Sequence, residues 1–127
     1  MRIEHFEGKN ECNHVDDIEE ILIRRTDKGV NEFIIRGEHE FPYMAVLVNH
    51  DYAYLHYYKA DDSPGFRSIG GNINLEKEKD IIFYTNTDQE EVSIETVSVL
   101  PSSSAVQAVK QFFETCHMPK CIEWEEL

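Results

Sequence analysis

The chain has 127 residues, 41% hydrophobic and 11% aromatic, enough for one compact domain over residues 1–127 and too few for a second. Its formal charge of −13 sets up a field that repels nucleic acid and anionic membrane and draws cationic surfaces, so direct binding to either is not expected. No apolar run approaches the ~20 residues of a membrane span, no charged-then-apolar leader opens the chain, and three cysteines point to reduced thiols in a cytoplasmic setting.

Behind Asn13 or His14, the segment "VDDIEEILIRR" repeats Val15, Ile18, Ile21 and Leu22 at helical spacing. Acids fill its first turn, Arg24, Arg25 and Lys28 stand near its end, and Gly29 is placed to stop it. From Asn31 to about Val99 the pattern changes to short β-rich runs: "EFIIR", "YMAVLV", "YAYLHYY", "IIFYT" and "VSIETVSV", parted by Gly, Pro, Asn and Asp. Pro101 ends that region. "SSSAVQAVKQFFETC" offers serine caps and an apolar stripe at Ala105, Ala108, Val109, Phe112, Phe113 and Cys116, which predicts a second amphipathic helix. Met118-Pro119 closes it, and "CIEWEEL" predicts a short terminal strand. The expectation is an α+β domain: an antiparallel meander with two amphipathic helices packed on one face and the other face partly bare.

The charge is uneven. Between Lys79 and Lys110 there is no Lys or Arg, whereas Asp80, Asp88, Glu90, Glu91 and Glu95 are acidic. Such a run serves as a solvated face or as a docking surface for a basic partner.

A two-residue turn at Asn49-His50 or His50-Asp51 places Tyr43, Ala45, Leu47, Tyr52, Tyr54, His56 and Tyr58 on one side of a hairpin. Met44, Val46, Val48, Ala53, Leu55 and Tyr57 then share the more aliphatic side, the better one to pack under helices. Any one tyrosine merely suits a strand, but four with His56 in so short a run give large contact area at low entropy cost, as interface centres do. "DDSPGF" adds a rim: Pro64 and Gly65 fit the centre of a type II turn with Asp61 and Asp62 before it and Phe66 and Arg67 after it.

No spaced catalytic constellation is present. The chain lacks a nucleophile elbow, a P-loop and a paired-histidine zinc helix, and "GEHE" at Gly37 to Glu40 has one histidine only. "SIGG" at Ser68 to Gly71 has no helix after it and fits a turn or bulge. Cys116, His117 and Cys121, with Cys12 and His14, have loose zinc-ligand spacing, and buried reduced cysteines account for them as well; neither metal nor cofactor is expected.

The order "YLHYY", "DDSPGF", "GG", "IIFYTN", "VSVLPSSSAVQAVKQFFET" and, at the end, Pro119 and "IEW" resembles the first-numbered family of bacterial immunity proteins encoded beside polymorphic toxins, some of whose members neutralise secreted cytidine deaminases. The resemblance covers nearly the whole chain and departs from the family where Cys116-His117 stand in place of a glycine. It implies a non-enzymatic protein that binds a cognate toxin, a deaminase or nuclease with a basic active-site surface, one to one. It carries over no catalytic residue. The expected contact is one patch of Tyr52, Tyr54, His56, Tyr58, Asp61, Asp62, Phe66 and Arg67, with Trp124 and Glu125 as a second anchor. The other reading is a small ligand-binding or enzymatic domain using His56 and the acidic loop.

Overall fold

The computed structural model describes residues 1–70 and 80–127. Three seven-residue strands rich in β-branched and aromatic side chains lie at its centre: β3 (Val30–Arg36), β4 (Tyr43–Asn49) and β5 (Tyr52–Tyr58), paired antiparallel in sequence order. The β4–β5 hairpin turns on His50-Asp51, with Asn49 opposite Tyr52, and His50 takes the positive φ of 53°. The faces follow as expected. Met44, Val46, Val48, Ala53, Leu55 and Tyr57 are buried together with the helices α1 (Asp16–Leu22) and α2 (Ser102–Thr115) through Ile18, Ile21, Leu22, Ala105, Ala108, Val109 and Phe112. Burying a side chain such as Phe112 stabilises by roughly 1.5–3 kcal/mol. Tertiary packing therefore holds α1, which at seven residues is too short to persist alone.

The sheet is wider than the meander expected. An N-terminal hairpin of β1 (Arg2–His5) and β2 (Gly8–Glu11) joins it at β3; its segments have weak strand preference and a single deeply buried anchor, Ile3. On the far side β6 (Phe66–Ile69) pairs with β5, and β10 (Glu123–Glu126) pairs with β6. The order is β10-β6-β5-β4-β3-β1-β2, with β9 (Leu100–Pro101) also beside β5. The outer edge of β5 is thus shared: His56 and Tyr57 face β6, Tyr52 and Ala53 face β9. At the fork Ser68 Oγ accepts the Leu55 N–H at 3.0 Å and donates to the Ser98 carbonyl at 2.8 Å.

Several local expectations are corrected. The helix that was to run to Gly29 ends at Leu22, because the Arg25 guanidinium donates to the Leu22 carbonyl at 2.7 Å and the Arg24 carbonyl at 2.9 Å and reaches the His50 carbonyl at 3.1 Å. Gly29 instead sits in a following turn, its N–H donating to Thr26 at 2.8 Å. The serines of α2 do not cap it: Pro101 is the N-cap, and the Ser102 N–H donates to the Asp51 carbonyl at 2.7 Å. "IIFYT" and "VSIETVSV" do not extend the main sheet. They form β7 (Asp80–Tyr84) and β8 (Glu91–Glu95), a separate two-stranded sheet, followed by a 3-10 turn at Thr96–Ser98. In "SIGG", Ser68 and Ile69 belong to β6 and Gly70 lies against backbone, since a Cβ there would come 1.9 Å from the Val99 carbonyl oxygen; Gly71, like Lys79, lies outside the described residues. Of the cysteines only Cys12 is buried, and burial pushes its thiol pKa up. Cys116 and Cys121 are exposed, and Cys116 closes α2 in the left-handed region at φ 57°. Among the described residues no helix is long and apolar enough to cross a membrane.

Candidate functional site

The face of the sheet away from the helices is half covered. The β7–β8 hairpin lies over its turn end, where fully buried Phe83 packs with Leu47 and Val99 and where Tyr52, Tyr54, Ile81, Val92 and Ile94 close around them. Polar clamps hold it. The Glu32 carboxylate accepts the Thr85 hydroxyl at 2.7 Å and the Asn86 N–H at 2.9 Å, and Asn49 Nδ2 donates to the Ile82 carbonyl at 2.8 Å. The acidic run of the sequence lies on this hairpin, with Glu90, Glu91 and Glu95 exposed.

Beyond the hairpin's contacts the same face carries a stacked row. Tyr43 and Tyr58, opposite one another across β4 and β5, stack at 4.6 Å between centroids and 20°. His56 stacks on Tyr58 at 4.2 Å and 15°. At the other end the Arg36 guanidinium lies 4.4 Å from the Tyr43 centroid, and Phe41 tilts against Tyr43 at 5.4 Å. His56 is locked in one tautomer: the Pro64 carbonyl, an acceptor only, lies 2.7 Å from Nε2, so Nε2 carries the proton and Nδ1 accepts the Tyr54 hydroxyl at 3.0 Å. Burial lowers the His56 pKa, with Arg67 acting in the same direction and the Pro64 bond opposing it. Burial, aided by Tyr58, pushes Tyr54 up to about 12, and burial followed by Tyr43 and Glu32 raises Tyr58.

Gly65 makes this clamp possible. Its φ is +87°, and a Cβ would lie 2.5 Å from the Tyr57 carbonyl oxygen and 2.7 Å from His56 Nε2. The positive φ is what the Pro64-Gly65 pair predicts, but residues 63–65 form no turn of their own. Asp61 and Asp62 are themselves the centre of a turn closed by the Ser63 N–H on the Ala60 carbonyl at 3.3 Å, and both are exposed.

The predicted patch divides between the two faces. His56, Tyr58 and Arg67 come together, with Tyr54 behind them and Tyr52 under the hairpin. Arg67 Nη2 pairs with Glu125 Oε1 at 2.6 Å, which brings Glu125 to the same site. Phe66 and Trp124 lie on the helix side, packed against the core; Trp124 Nε1–H donates to the Pro119 carbonyl at 2.8 Å and its ring sits 6.1 Å from Tyr57. Strand parity accounts for this: Phe66 is opposite Tyr57 and Arg67 opposite His56. Arg36, Phe41 and Tyr43 were missed as site residues, although the hairpin register already placed Tyr43 beside Tyr58. Among the described residues no three His, Cys, Asp or Glu side chains group to hold a metal.

Comparison with known proteins gives two findings. The family described as Immunity protein Imm1 matches residues 9–126. The double-stranded DNA deaminase immunity protein of Burkholderia cenocepacia (strain H111) is 31% identical over 128 aligned positions that take in all of both chains.

Proposed function

This chain belongs to the Imm1 immunity protein family, and we propose that it neutralises a cognate deaminase toxin in the cytoplasm of the producing cell, binding it one to one through the open end of its sheet without chemistry of its own. The observation that carries this reading is the row of Tyr43, Tyr58 and His56, left outside the hairpin that covers the rest of the face. Rings already fixed by stacking and by the Pro64 clamp lose little freedom on binding, which suits them to the centre of an interface. Both ring nitrogens of His56 are engaged internally, which speaks against a role in proton transfer. The relative's name favours a deaminase over a nuclease as the target. An enzyme that acts on DNA presents a cationic groove to phosphates, and a chain of charge −13 is drawn to such a groove.

Affinity for the toxin domain and melting temperature, measured together, test the proposal. Replacing His56 and Tyr58 with alanine should weaken binding by ~2 kcal/mol or more, ~30-fold in Kd. Failure of the wild-type chain to bind or inhibit a deaminase toxin encoded beside it refutes the function. A lowered melting temperature with intact affinity refutes the assignment of the face.

A further inference from the structure

The aromatic row runs on into arginines. Strand register sets Tyr58 opposite Tyr43, Tyr43 opposite Arg36 and Arg36 opposite Arg2, one line across four strands. Like charges directly opposite one another destabilise a sheet, yet here two of the chain's 12 Lys and Arg residues meet that way, against 25 acids overall. Arg2 is paired with Glu4 at 3.2 Å, and Arg67 with Glu125 at 2.6 Å. Arg36 has no carboxylate within ion-pair reach among the described residues; its polar contact is the Glu40 carbonyl at 3.5 Å.

The stacking also decides what the row can offer. Tyr58 is covered on its two faces by Tyr43 and His56, and Tyr43 is flanked by Tyr58 and the Arg36 guanidinium. Cation–π or base stacking from outside needs a free face, so ring edges and hydroxyls remain, and these are electropositive or donating. Beside the row a cleft of about 540 Å³ opens along Arg2 and Arg36. The cleft is also lined by Glu4, Glu11, Glu38 and Glu40, so an incoming anion must displace no internal pair to reach Arg36 but must be carried by a partner basic enough to overcome them.

We propose that Tyr58, Tyr43 and Arg36 form a donor strip that receives a carboxylate side chain of the toxin. The proposal rests on the reading that the open face binds a toxin. Within an acidic surface, one guanidinium without a carboxylate partner among the described residues fixes the orientation of the complex and rejects basic toxins that lack the matching acid. Arg36, a planar fork of donors, suits a carboxylate in two-point contact, and the tyrosine hydroxyls can donate beside it.

The test is affinity of Arg36→Gln, Arg36→Glu, Tyr43→Phe and Tyr58→Phe for the toxin domain, with melting temperatures alongside. Arg36→Gln should weaken binding ~10-fold or more and Arg36→Glu should abolish it. One Asp→Lys or Glu→Lys substitution in the toxin should restore binding to Arg36→Glu. If Arg36→Gln lowers the melting temperature, Tyr58→Phe, which keeps the ring and removes only the hydroxyl, decides the matter through an expected ~3-fold or larger loss. Wild-type binding retained within about twofold by all four variants, or tighter binding by Arg36→Glu, overturns the donor strip and leaves toxin binding standing. A wild-type chain that does not bind overturns both.

Discussion

Gly65→Ala should uncouple the aromatic row from the Pro64-Gly65 segment that positions it. At φ +87° an alanine carries a left-handed penalty of ~1–2 kcal/mol. Its Cβ would stand 2.7 Å from His56 Nε2, the atom that donates to Pro64, and displacing the ring sacrifices that hydrogen bond, a further ~0.5–1.5 kcal/mol. The other close neighbour, the Tyr57 carbonyl oxygen at 2.5 Å, belongs to a strand paired with β4 and β6 and has little room to move. Together these give a loss of about 2–3 kcal/mol or more, which in a domain of this size lowers the melting temperature by roughly 10 °C. Thermal melting followed by circular dichroism measures it. Gly37→Ala is the control: nothing lies within 4 Å of its Cβ, and the change in stability should stay within ~1 kcal/mol. Because the row shifts with His56, toxin affinity should fall in the Gly65 variant even well below its melting temperature. A melting temperature within about 2 °C of wild type would refute the close approach and the clamp argued from it.

Cys116→Gly should stabilise the fold by ~1 kcal/mol, read by urea denaturation, because Cys116 occupies a left-handed position at φ 57° that glycine adopts freely. Since His56 has a lowered pKa in the folded state, the unfolded chain takes up that proton first as pH falls. The associated stability is whole above about pH 6.5 and is lost on acidification below it, so His56→Gln should flatten the stability profile between about pH 7 and pH 5, and an unchanged slope would contradict the burial of His56. Raising salt from ~0.05 to ~0.5 M shortens the Debye length about threefold and should slow toxin association far more than it speeds dissociation, as stopped-flow kinetics would report. Asp61→Lys, on an exposed turn, should reduce the association rate while leaving the melting temperature unchanged.

Alternation and helical spacing made the centre of the fold legible. The faces of β4 and β5 follow from a two-residue turn and strict parity, and the stripe from Ala105 to Phe112 names its own buried side. What escaped had no local signal. "GKNE" has no preference for a strand and becomes one because β1 presents it with a paired edge. α1 ends early through Arg25 bonding to His50, a residue far along the chain. The site was legible as an aromatic strand but not as a surface, since the hairpin that covers Tyr52 and the parity that turns Phe66 inward are set by pairings between distant segments. Arg36 could be placed next to Tyr43 only once the β3–β4 register was known.

The fork at β5 has a consequence for when protection begins. The strand that bears His56 and Tyr58 needs β9, at Leu100–Pro101, along one half of its outer edge and β6 along the other; β6 in turn is flanked by β10, which ends at Glu126. Chains leave the ribosome N-terminus first at ~5–20 residues per second, so the aromatic residues emerge well before the segments that frame them. A nascent or prematurely terminated chain therefore exposes its tyrosines without presenting the finished row.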